Sequence, residues 1–121
     1  MKRLLIADDD PMFVELVRAV LPPTNWEVSA AHDSMQVVMY AMRSPAPEVI
    51  LLDINMPGGT GINALKRLKQ SVKTALIPVV VVSGAPDPML PDQVRMLGAK
   101  GFISKPIDAT TFERDLLDIL V

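Results

Sequence analysis

Strand-length apolar runs without polar interruption constrain the fold of this chain more than any other feature. They stand at Leu4 to Ala7, Val49 to Leu52 and Ile77 to Val82, with a shorter one at Phe102-Ile103. Successive side chains of a strand point to opposite faces, so a half-exposed strand alternates and an unbroken run reads as a strand covered on both faces. Trp26-Glu27-Val28-Ser29-Ala30 does alternate, which places it at an edge.

Helical spacing fills the intervals. Phe13, Leu16, Val17, Val20 and Leu21 recur on one face, behind Asp10 as N-cap and Pro11, whose missing N–H would be unpaired in a first turn anyway. Met35, Val38, Met39 and Met42 mark a second helix with Ser34 as its cap, and its methionines read as core filler. Ile62, Leu65 and Leu68 mark a third, Leu90, Val94 and Leu97 a fourth between Pro91 and Gly98, and Phe112, Leu116, Ile119 and Leu120 a fifth. Strict alternation of strand and helix predicts an α/β fold with a parallel sheet covered on both sides. With five strands and the alternating second one at an edge, the expected fold is flavodoxin-like and doubly wound, in strand order 2-1-3-4-5.

Composition narrows the function. A chain of 121 residues with no internal repeat or linker is expected to form one domain over residues 1–121. It has no cysteine, which excludes zinc ribbons, thiol nucleophiles and disulfide scaffolds. With 12 Lys+Arg against 14 Asp+Glu and no basic cluster longer than a pair, nucleic acid is not an expected partner. Only Leu4 to Ala7 separates Met1-Lys2-Arg3 from Asp8, too short for a signal-peptide core or a membrane span, so a cytoplasmic protein without membrane contact is expected.

In a doubly wound sheet ligands bind outside the carboxyl ends of the strands. Strand 1 there runs into Asp8-Asp9-Asp10, strand 3 into Asp53, strand 4 into Ser83-Gly84, and strand 5 is followed by Lys105-Pro106. Taken singly, Asp8 and Asp9 could cap a helix and Asp53 could open a turn, and Asp10 is read as a cap outside the site. Their convergence is what points to chemistry. Two carboxylates about 4 Å apart repel by roughly 4 kcal/mol at an effective dielectric near 20, so the rim needs a counter-charge. Carboxylate oxygens without His or Cys suit a hard cation, and Mg2+ fits because it takes one or two carboxylates while sharing phosphate oxygens. One aspartate is then free to attack a phosphoryl group.

These residues carry a resemblance over essentially the whole chain. Ile6-Ala7-Asp8-Asp9-Asp10-Pro11, Asp53-Ile54-Asn55-Met56-Pro57 followed by Gly61, Val82-Ser83-Gly84-Ala85, and Gly98-Ala99-Lys100-Gly101-Phe102-Ile103-Ser104-Lys105-Pro106 together resemble the receiver domain of bacterial two-component response regulators. The resemblance implies that Asp53 accepts a phosphoryl group from a sensor histidine kinase or histidine phosphotransferase. It implies that Asp8, Asp9, Asp53 and the backbone carbonyl of Asn55 hold Mg2+, that Lys105 and Ser83 bind the phosphoryl group, and that Phe102 is the switch aromatic. It also implies a cis bond before Pro106, and an output through helix 4, strand 5 and helix 5 to a downstream protein or output domain.

Departures from the family pattern are mild. Serine at Ser83 keeps the hydroxyl but lacks a methyl, and Phe102 has no hydroxyl to offer a partner. Ala85 cannot position a hydrolytic water, so slow self-dephosphorylation is expected, and Pro86, Pro88 and Pro91 stiffen the approach to helix 4. His32 is expected at the surface, and Trp26 as a partly buried edge residue. A haloacid-dehalogenase-like phosphatase fits less well, since Met12 stands where that family wants Thr or Val, and an FMN carrier would not place three aspartates in its phosphate loop. The rival reading is a receiver that has lost phosphorylation and serves as a protein-binding adaptor. No output domain follows the fifth helix within residues 1–121, so the output is expected to be a contact.

Overall fold

The computed structural model describes residues 1–56, 61–84 and 87–121. Its elements are β1 (Lys2–Ala7), α1 (Pro11–Val20), β2 (Trp26–Ala31), α2 (Ser34–Ala41), β3 (Val49–Asp53), α3 (Gly61–Gln70), β4 (Val79–Ser83), α4 (Leu90–Met96), β5 (Gly101–Ser104) and α5 (Phe112–Leu120). The strands form one parallel sheet in the order β2-β1-β3-β4-β5. This is the predicted flavodoxin-like topology.

The unbroken apolar runs do serve two faces. Leu5, Ala7, Ile50, Leu52, Val79 and Val81 pack with α2, α3 and α4, whereas Leu4, Ile6, Val49, Leu51, Val80 and Val82 pack with α1 and α5. Every residue of β3 and β4 is buried, while β2 alternates as an edge strand does. Asp10 caps α1, accepting a bond from the Met12 N–H at 2.9 Å, with Pro11 in the first turn. Gly98 ends the α4 segment at φ 106°, a left-handed geometry in which glycine suffers no Cβ clash.

Three expectations are corrected. The cap of α2 is Asp33, whose carboxylate accepts from the Gln36 N–H at 2.8 Å, and not Ser34, which is buried in the first turn. The methionines of α2 are not core filler: its buried face is Ser34, Val37, Val38 and Ala41, and Met35, Met39 and Met42 are 63%, 50% and 42% exposed. Two apolar stripes compete on this helix, and the one made of small and β-branched residues lies closer to the sheet and loses less rotamer entropy on burial than methionine would. Trp26, although on the edge strand, is fully inside the α1/α5 layer, and its indole N–H donates to Glu113 of α5 at 2.8 Å. His32 is exposed, as expected.

Candidate acidic site at the carboxyl ends of the strands

The parallel sheet brings the ends of β1, β3, β4 and β5 to one edge, and the residues just beyond them meet there. Asp8, Asp9 and Asp53 each present a carboxylate oxygen within 4.8 Å of the others. Asp8 and Asp53 are buried, whereas Asp9 is exposed. Asp8 is held on both oxygens: one accepts from the Asp10 N–H at 2.9 Å, the other from the Lys105 ammonium at 2.8 Å. The same ammonium lies 3.7 Å from Asp53, whose other oxygen accepts from the Asn55 N–H at 3.3 Å. Asp10 faces its own helix as a cap.

Ser83 is the last residue of β4 and is buried. Its carbonyl accepts from the Lys105 N–H at 3.0 Å, which ties the exit of β5 to the exit of β4. Phe102 lies opposite Val81 in the β4–β5 register and packs, half-buried, with the α2/α3/α4 layer. Ser83 is two residues beyond Val81 and so shares that face. The Lys105–Pro106 peptide bond is cis, as is Ser44–Pro45. The expectations drawn on Pro57, Ala85 and Pro86 lie outside the described residues.

The electrostatics follow from this crowding. Burial raises the Asp53 pKa first, and Asp8 and, less strongly, Asp9 add to the rise; Lys105 and the Asn55 N–H pull against them. The net direction is upward from the ordinary carboxylate value. The donor set is therefore three carboxylates served by one lysine, an excess of negative charge made only of hard oxygens. It fits a divalent hard cation and offers no nitrogen or sulfur for a softer metal.

Gly61 sits where α3 begins against the exit of β3. A Cβ there would collide with the carbonyl oxygen of Asp53 and come within 2.6 Å of the Ile54 Cα, and the Gly61 N–H already donates to the Ile54 carbonyl at 2.7 Å. Both colliding groups are backbone, so Gly61→Ala must displace either α3 or the segment carrying Asp53. It is expected to destabilise the protein by about 3 kcal/mol, the upper part of the overpacking range, as read from urea unfolding midpoints. A second residue was legible only as core: Phe13 of α1 places its ring 4.2 Å from the Lys105 ammonium. Its signal in the sequence was an aromatic in the first turn of the helix that leaves the acidic loop.

The five-stranded parallel sheet in the order 2-1-3-4-5, with three carboxylates and a lysine at its carboxyl edge, has the CheY-like flavodoxin fold. The chain belongs to the response regulator receiver domain family, whose profile matches residues 4–116. It is 31% identical to the protein PilH of Pseudomonas aeruginosa over 99% of this chain and 98% of PilH. It is 37% identical to the response regulator PleD of Caulobacter vibrioides over 88% of this chain, but this spans only 23% of PleD. Among solved structures, the chemotaxis response regulator CheY4 of Vibrio cholerae superposes with a TM-score of 0.88 over 98% of each chain, at 24% identity, a likeness of fold. Receiver domains are switches of two-component signalling that interact with histidine kinases and output domains. Among the described residues no helix is long and apolar enough to cross a membrane.

Proposed function

We propose that residues 1–121 act as one phosphorylation-dependent receiver in which Asp53 is the phosphoacceptor. The observation that carries this reading is that carboxylate oxygens of Asp8, Asp9 and Asp53 lie within 4.8 Å of one another, with the Lys105 ammonium 2.8 Å from Asp8 and 3.7 Å from Asp53. An oxygen of Asp53 attacks the phosphorus of a histidine kinase, phosphotransferase or small acyl phosphate. The new O–P bond forms as the bond to the leaving nitrogen or oxygen breaks, and the electron pair departs with the leaving group. Asp8, Asp9, Asp53 and the Asn55 carbonyl would hold Mg2+, which supplies positive charge to the transferring phosphoryl oxygens. Lys105 offsets a further part of that charge, and the Ser83 hydroxyl donates to a third oxygen. The protein promotes only its own phosphorylation and its reversal.

The switch follows from differential contact. Ser83 and Phe102 share one face of neighbouring strands, so a Ser83 drawn toward the phosphoryl group frees space that the Phe102 ring can enter. Modification then biases a two-state equilibrium rather than pushing a rigid body. The surface that changes is α4, β5 and α5. Between β5 and α5 lies a recess of about 420 Å³ lined by Phe102, Ile103 and Asp108, Asp115 and Asp118, which suits a partner with basic and apolar groups.

Incubation with Mg2+ and acetyl phosphate, followed by intact mass measurement, tests the reading. One phosphoryl group gained per chain is the expected result. No gain overturns it and leaves the adaptor reading.

A further inference from the structure

We propose that Phe13 is a positioning residue for Lys105, an inference that rests on the phosphoacceptor reading above. The ring of Phe13 is 7% exposed and fixed among the packed residues of α1, α5 and the sheet. Above it the Lys105 ammonium lies 4.2 Å from the ring centroid, inside the range of a cation–π contact. An ammonium has three N–H directions. Among the described residues it has three such neighbours: Asp8 at 2.8 Å, Asp53 at 3.7 Å and the ring.

The three are not equivalent. Asp8 and Asp53 belong to the set that would hold the metal, and Asp53 is also the nucleophile, so their oxygens are shared between roles. The ring is the neighbour among the described residues with no other claim on it. It is neutral, so it attracts the ammonium without adding a further negative charge to an edge that already carries three. The lysine stem is long and flexible, and its side chain is 23% exposed. A seat on the ring therefore keeps the charge beside Asp53 when the carboxylates are engaged elsewhere. Leucine or methionine at this position would fill the same space in α1 but present no negative face.

The test compares wild type, Phe13→Leu, Phe13→Met, Phe13→Tyr, and protein in which Phe13 is replaced by pentafluorophenylalanine, which keeps the ring shape and reverses its quadrupole. In metal-free protein the ε-methylene protons of Lys105 should lie upfield through the ring current, moving downfield in Phe13→Leu and Phe13→Met and remaining upfield in Phe13→Tyr. With Mg2+ and acetyl phosphate, the phosphorylation rate constant should fall about fivefold in the leucine, methionine and pentafluoro proteins and be restored in Phe13→Tyr. Thermal unfolding identifies any variant that fails to fold, and the pentafluoro protein, with its core volume kept, carries the comparison if the smaller residues do. Unchanged rates in the pentafluoro protein together with unmoved Lys105 signals in Phe13→Leu overturn the role of Phe13 alone. A wild type that gains no phosphoryl group overturns the phosphoacceptor reading and this role with it.

Discussion

Asp53→Asn is expected to gain no phosphoryl group from acetyl phosphate and Mg2+, while unfolding at a higher temperature than the wild type in metal-free buffer at neutral pH. The loss follows from chemistry: an amide oxygen is too weak a nucleophile to replace a carboxylate, and the buried neighbour Asp8 has both oxygens engaged, by the Asp10 N–H and by Lys105. The gain in stability follows from the raised Asp53 pKa, caused by burial first and then by Asp8. A carboxyl whose pKa is higher folded than unfolded supports the fold fully below its unfolded value, and that support is lost as pH rises through the folded value. At neutral pH the ionised Asp53 is thus a net cost that Asn removes. As pH falls into the raised range, Asp53 takes up a proton in the wild type and the two melting temperatures converge. Scanning calorimetry with a chelator across this pH series reads the effect, and a wild type more stable than Asp53→Asn at neutral pH would contradict it.

Lys105→Met should lower the stability of metal-free protein by about 3 kcal/mol, the lower end of the cost of stripping one partner from a buried ion pair. Asp8 is 1% exposed and its ammonium partner stands at 2.8 Å, so without Lys105 a carboxylate stays buried next to Asp53 with no cation within 4 Å among the described residues. Methionine retains most of the stem over Phe13, which separates loss of charge from loss of packing. Mg2+ at about 100 times its dissociation constant adds about 2.7 kcal/mol to any form that binds it, so the metal should rescue much of the deficit in urea unfolding. Phosphoryl uptake should still fall about a hundredfold, because the ammonium acts on charge that develops during transfer. A midpoint in urea equal to that of the wild type would mean that Asp8 is served by some other charge.

The fold and most of the site were open to reading because their signals are local. Runs such as Val49 to Leu52 declare a strand covered on both faces, and Asp10-Pro11 declares a helix start, without reference to anything distant. Alternation of strands and helices then leaves few topologies, and each places Asp8, Asp53, Ser83 and Lys105 on one edge. The misreadings arose where two local signals competed. On α2 the stripe of Met35, Val38, Met39 and Met42 and the stripe of Val37, Val38 and Ala41 are both periodic and share Val38, and only packing in the tertiary structure selects the second. At Trp26, alternation identified an edge strand correctly, yet the indole is buried by α5, an element that starts 86 residues later.

Periodicity, capping residues and the order of elements were enough to determine that this chain is a doubly wound sheet with aspartates and a lysine at its carboxyl edge. Three-dimensional packing alone decided which oxygen of Asp8 meets Lys105, that burial and its neighbours raise the pKa of Asp53, and that Phe13 lies beneath the ammonium. The physical reason is range. Hydrophobic period and caps act over a few residues along the chain, whereas Coulomb and cation–π energies depend on distances between residues as far apart in sequence as Asp8, Phe13 and Lys105, which exist only once the sheet has closed.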